Sequence, residues 1–98
     1  MLTAAQARIL ERVRERQLRC HEIKEVIVER LDLDLDPDWL TDDQAILGRG
    51  LELDSIHVIE VVVGIEWQFK VNITDDELDR FGSVNMLADF IESRREDA

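Results

Sequence analysis

The sequence predicts an all-α fold, a small four-helix bundle of three main helices and one short one, and three observations carry that expectation. Apolar residues recur at three- and four-residue steps in three separate stretches. Helix-capping signals stand where those stretches begin, and no apolar–polar alternation of strand length competes with them. A chain of 98 residues has room for one small domain, close to the size at which a single apolar core is only just sufficient.

The first helix is expected over about residues 3 to 31. Thr3 followed by Gln6 fits a capping box, and Ile9, Val13, Cys20, Ile23, Ile27 and Leu31 continue one stripe that only Arg16 and Gln17 interrupt. The stripe thins around Arg19, Cys20 and His21, where a break could fall. Pro37 then excludes a helix through the run of alternating Asp32, Asp34, Asp36 and Asp38. That run fails as a calcium loop, because Pro37 occupies the position of the sharp-turn glycine and Asp43 that of the closing glutamate. It reads as a solvated loop whose Leu33, Leu35, Trp39 and Leu40 turn inward, with Thr41 and Gln44 as a further cap.

A second helix begins at Ser55, after a loop flanked by Gly48 and Gly50. Ile56, Ile59, Val62, Ile65 and Phe69 are expected to form its core face, while His57, Glu60, Val63, Glu66 and Trp67 form a face too apolar for a purely solvated surface. Lys70 to Ile73 reads as an extended link with Val71 and Ile73 inward. Thr74 and Glu77 form another capping box, opening a short helix over about 75 to 80. Gly82 ends it, Ser83 caps the last helix, and Val84, Leu87, Phe90 and Ile91 supply that helix's buried stripe. The polar tail from Ser93 is expected to fray.

Composition removes several functions. Residues 1 to 30 carry net +2 and residues 31 to 98 net −13, giving −11 in all, so phosphate backbones and anionic lipids are repelled and basic protein surfaces attracted. Nucleic acid is therefore an unsuitable partner. Cys20 is the only cysteine, which rules out an internal disulfide and a thiolate metal cluster. Adjacent to His21 on a helix, it points about 100° away and reads as a small core thiol beside a surface imidazole. No basic segment with an apolar core opens the chain, and no run is long enough for membrane insertion. The expected protein is a cytoplasmic monomer.

Ser55 is the chemical centre. As a catalytic nucleophile it lacks a base, since the chain has only His21 and His57 and no nucleophile elbow. As a structural residue, it or Asp54 would simply cap the helix. The wider pattern favours a third role. Leu53-Asp54-Ser55-Ile56, Glu60, Glu66 with Phe69, Ile73, Asp76 with Glu77, and Val84 with Phe90-Ile91 resemble the acyl carrier proteins without a gap from Gly48 to about Ser93.

The resemblance implies that Ser55 receives 4′-phosphopantetheine from coenzyme A through a separate phosphopantetheinyl transferase, with Asp54 as the adjacent motif acid. The protein would then be a carrier and not an enzyme, presenting acyl groups as thioesters to loading and transferring enzymes of a fatty-acid, polyketide or specialised lipid pathway. Glu60, Val63 and Glu66, with His57 and Trp67, match or neighbour the positions that meet basic docking patches. Ile59, Val62, Ile65, Ile73, Phe81 and Leu87 would line a pocket for the acyl chain. Residues 20–93 correspond to the carrier core and 1–19 to an N-terminal helical extension. Glu52 in place of glycine, His57 and Trp67 in place of acids, and the long first helix depart from the family pattern and imply a specialised member. An aminoacyl or peptidyl carrier, and an unmodified acidic interaction domain, are the alternative readings.

Overall fold

The computed structural model describes the backbone of residues 1–43, 55–74, 76–77 and 82–96, with side chains for all of these except 55, 95 and 96. There are three α-helices among the described residues, α1 (Ala4–Arg30), α2 (Ser55–Phe69) and α3 (Val84–Glu96), with a 3-10 turn, Pro37–Trp39, between the first two. Among the described residues there is no strand, and the fold is all-helical as expected. The short helix expected over about 75 to 80 lies largely outside the described residues, which retain only the 3-10 turn at Asp76 and Glu77. The cap expected at Thr41 and Gln44 also falls partly outside them.

Helix α1 is continuous through Arg19, Cys20 and His21. Its start is the predicted capping box: the Gln6 N–H donates to Thr3 Oγ1 at 3.1 Å, and the Thr3 N–H donates to Gln6 Oε1 at 2.9 Å. It ends in a Schellman turn, where the N–H groups of Asp32 and Leu33 donate to the carbonyls of Glu29 and Val28 and Asp32 takes the left-handed φ of 51°.

Lys70 takes the same left-handed conformation, φ 55°, immediately after α2. A β-carbon there costs about 1–2 kcal/mol, while glycine loses some chain entropy in exchange. Lys70→Gly is therefore expected to raise the thermal midpoint by roughly 2–6 °C in a domain of this size. A circular-dichroism melt checks this, and an unchanged or lower midpoint would contradict the assigned backbone strain.

The core sits where α1 receives α2, α3 and the 3-10 turn. Cys20, Ile23, Val26 and Ile27 of α1 meet Val61, Ile65 and Phe69 of α2 and Val84, Leu87, Ala88, Phe90 and Ile91 of α3, with Leu40 beneath the 3-10 turn. Val71 and Ile73 pack half-buried against it, as expected. Two expectations fail in the acidic loop, where Trp39 is 80% exposed and Leu35 is exposed as well. Asp36 accounts for Trp39: its carboxylate accepts from the Asp38 N–H and starts the 3-10 turn at Pro37, which delivers Leu40 to the core, while Leu33 packs half-buried against it as expected.

A larger correction concerns α2, where Ile56 and Ile59 are exposed rather than buried. Each three-residue step falls about 60° short of a full revolution, so three successive steps from Ile56 to Ile65 rotate to the opposite side. The buried stripe follows Val61, Ile65 and Phe69 at four-residue steps instead, with Val62 half-buried beside it.

A polar seam binds α1 to α3. Arg16 pairs with Asp89 at 2.8 Å and Glu92 at 2.9 Å, Arg19 also pairs with Glu92, and Arg16 donates to the carbonyl and Oδ1 of Asn85. Burial alone would lower the Arg16 pKa, but its bonds to Glu92 and Asp89 outweigh this and raise it. Asn85 also donates through Nδ2 to Asp43 and through its N–H to the Asp42 carbonyl, while Lys24 pairs with Asp42 at 2.6 Å. Asn85 thus joins α1, α3 and the segment before α2. Asn85→Ala should cost about 1–3 kcal/mol by removing the side-chain bonds to Arg16 and Asp43, while the backbone bonds of residue 85 stay. Urea unfolding measures the loss, and a midpoint within error of the wild type would refute it.

Candidate functional site

Ser55 is the first residue of α2, and no acidic side chain follows in the helix's first turn. A helix start collects unpaired N–H groups and the positive end of the macrodipole, so this position suits an anionic phosphodiester. Asp54 lies outside the described residues. The other two serines are engaged locally. Ser83 Oγ accepts from the Met86 N–H to cap α3, and Ser93 Oγ donates to the Phe90 carbonyl.

At about 100° per residue, Ile56, Ile59, Glu60, Val63, Glu66 and Trp67 share the side of α2 turned away from its buried stripe. Ile56 is 67% exposed and Trp67 77%, with Ile59 and Val63 also open to solvent. Val63, Glu66, Trp67 and Lys70 line a shallow hollow at its far end. Glu60 and His57 are exposed, His57 lying on the flank of this face. The expected partner face is therefore broader and more apolar than the sequence suggested, with two isoleucines added. A wheel drawn at 100° would have found them.

Glu66 is held in place. Its Oε2 accepts from the Ile73 N–H at 3.0 Å, which ties the link after α2 back to the helix and leaves Glu66 half-buried. The same link runs on to Thr74, whose N–H and hydroxyl both donate to Glu77 Oε1. Glu77 also pairs with Arg94, which lies 4.9 Å from the centroid of the Phe90 ring. Burial by itself would push the Glu77 carboxyl up, but Thr74 and Arg94 outweigh it and hold it below the ordinary carboxylate value.

The six residues named for an acyl pocket do not form one group. Ile65 and Leu87 are fully buried and Val62 and Ile73 half-buried against the same core, whereas Ile59 faces solvent and Phe81 lies outside the described residues. Cys20 is buried, and that burial, reinforced by Asp42, pushes its thiol up. His21 sits at the surface between Glu25 and Asp38, 3.3 and 3.2 Å away. Among the described residues no cluster of three or more potential ligands could hold a metal ion, and no helix is long and apolar enough to cross a membrane.

Sequence reasoning missed Gly64, which is buried where α2 crosses α1. A β-carbon there would lie 2.7 Å from Val26 Cγ1 and 2.8 Å from Arg30 Cγ. Its only sequence signal was a lone glycine inside an otherwise apolar helix.

Comparison with known proteins agrees with this geometry. The family described as "Phosphopantetheine attachment site" matches residues 21–91. An acyl carrier protein of Sulfurovum sp. is 33% identical over 72 residues, covering 74% of this chain and 92% of that one. Those of Wolinella succinogenes and Zymomonas mobilis are 30% and 32% identical, covering 76% and 74% of this chain and 93% and 90% of theirs. With a serine at the start of its second helix and these relatives along most of its length, the chain belongs to the acyl carrier protein family, whose members are carriers and not enzymes.

Proposed function

We propose that Ser55 is the attachment point for 4′-phosphopantetheine, added from coenzyme A by a separate transferase, and that enzymes handling the cargo dock on the exposed face of α2. The observation that carries this reading is the coincidence of the two on one helix. Ser55 opens α2, and the face of Ile56, Ile59, Glu60, Val63 and Trp67 begins beside it. When attached, the group supplies the thiol on which acyl cargo is held as a thioester.

The chain's own residues do the rest. The first turn of α2 offers no acid to repel the phosphodiester, and the positive end of the helix dipole favours an anion there. Glu60 and Glu66 provide negative charge for basic groups on an enzyme, and Ile56, Ile59, Val63 and Trp67 provide apolar area that becomes buried only in the complex. Glu66, anchored on Ile73, enters that contact with little side-chain entropy left to lose. An acyl chain sheltered by the bundle would enter beside the half-buried Val62 and Ile73, gaining about 0.8 kcal/mol for each methylene buried.

The isoleucines, valine and tryptophan make this face unusually apolar for an acid-based address, which supports a specialised member with dedicated enzymes. Residues 20–93 would be the carrier core and 1–19 an extension of it. We take its place of action to be the cytoplasm, a reducing compartment that suits a lone buried thiol. Intact mass after incubation with coenzyme A and a broad-specificity phosphopantetheinyl transferase tests the central claim. A gain of one phosphopantetheine supports it, and no gain with an active transferase would overturn it.

A further inference from the structure

We propose that the N-terminal part of α1 docks on the exposed α2 face of a second copy of this chain. Leu2, Gln6, Ile9, Val13, Arg16, Cys20, Ile23 and Ile27 follow a continuous alternation of four- and three-residue steps, the spacing of a helix-packing seam. The second half of that seam, Cys20, Ile23 and Ile27, is buried under α2 and α3. The first half runs past the bundle uncovered, with Leu2, Ile9 and Val13 exposed and Ile9, Arg12, Val13 and Arg16 lining an open groove that Glu92 closes at one side.

Charge identifies the occupant. Residues 1–19 hold five arginines and two glutamates, net +3, while residues 20–98 carry net −14. Pairing of this arm with another arm is disfavoured, because the positions flanking the open seam are Ala5, Leu10, Arg12 and Gln17 and offer no acid to Arg12. The complementary surface is an apolar helical stripe bordered by acids. The α2 face has that character, with Ile56, Ile59, Val63 and Trp67 running beside Glu60 and Glu66.

Length agrees as well. The open part of α1, from Ala4 to Glu15, spans about 18 Å at 1.5 Å per residue, and the fifteen residues of α2 about 22 Å. The arm cannot reach its own α2 face. α1 is one unbroken helix, and α2 turns Val61, Ile65 and Phe69 toward it, so that of the exposed face Trp67 borders the far, C-terminal end of α1 and not the arm. The contact is therefore made between two molecules, each arm reaching the other's α2.

This inference rests on the seam and its charges and holds whether or not Ser55 is modified. Sedimentation equilibrium over a range of concentrations tests it on the wild type and on two double variants, Ile9→Ser with Val13→Ser and Val63→Ser with Trp67→Ser. All four side chains are exposed, so both variants should keep their far-UV circular dichroism. The wild type is expected to self-associate, and each double variant to do so at least about tenfold more weakly. A mixture of the two variants should recover a one-to-one complex, since one retains a sound face and the other a sound arm. A wild-type mass that stays monomeric at every concentration would overturn the proposal. So would association indifferent to the α2 variant, or a mixture no more associated than its components.

Discussion

Ser55→Ala is expected to abolish the mass gain that coenzyme A and a phosphopantetheinyl transferase produce in the wild type, while leaving the fold unchanged. Alanine is the best residue for a helix interior and tolerable in its first turn, so α2 should start where it does now. What disappears is the hydroxyl on which the proposed attachment depends. Ser83 and Ser93 are committed to α3, one capping its start and the other bonded to the Phe90 carbonyl, so neither should substitute. Intact-mass spectrometry with matched circular dichroism decides the matter. A variant that still gains mass would move the attachment elsewhere, whereas a wild type that never gains it would leave an acidic interaction domain as the better account.

The second large effect concerns stability. Gly64→Val should destabilise the protein by more than about 3 kcal/mol, and Gly64→Ala by about 1–3 kcal/mol, although alanine alone would favour the helix by about 1 kcal/mol. The added β-carbon would approach Val26 Cγ1 to 2.7 Å and Arg30 Cγ and Nε to 2.8 and 2.9 Å. Arg30 is exposed and its long side chain can swing aside, but Val26 is buried and its short branched side chain must move as a whole. Either the two helices separate or Val26 leaves its rotamer. Against a total stability of about 5–15 kcal/mol, valine should leave the domain marginal. Thermal melts should show a midpoint lowered by roughly 5–15 °C for alanine and by more for valine. An alanine variant as stable as the wild type would mean that α1 and α2 lie further apart than described here.

Much of this architecture was legible because its signals are local. A Thr-x-x-Gln pattern at residue 3, a serine after Gly82, and an apolar stripe from Val84 to Ile91 each specify a helix from neighbours in sequence, and each appears in the structure. The start of α2 at Ser55 was legible for the same reason, whereas the attachment role proposed for that serine came from the family resemblance and not from its neighbours. Features that depend on how two elements meet were not. The orientation of α2 turns on accumulated rotation along a run of almost uniformly apolar residues, which gives periodicity little contrast to work with. That is why Ile56 and Ile59 read as core and proved exposed. Asn85 gave no warning of its place between Arg16, Cys20, Asp42 and Asp43, because its partners lie more than forty positions away in sequence. Trp39 misled through composition alone. A tryptophan is expected to seek the interior, but the 3-10 turn that Asp36 starts aims it outward.

The unbroken course of α1 has a consequence for how the carrier can be handled. Twenty-seven residues of helix extend through a body measuring 48 × 30 × 21 Å, and no glycine or proline interrupts them. A module joined to its neighbour by a flexible tether can be held firmly at one end while its business end wanders freely. Here a grip on the first turns of α1 fixes the heading of the whole body, because torque applied at Ile9 reaches Ile27 without a joint to absorb it. Whatever takes hold of that end sets the direction in which the start of α2 is presented, much as a hand on the shaft aims the blade of an oar.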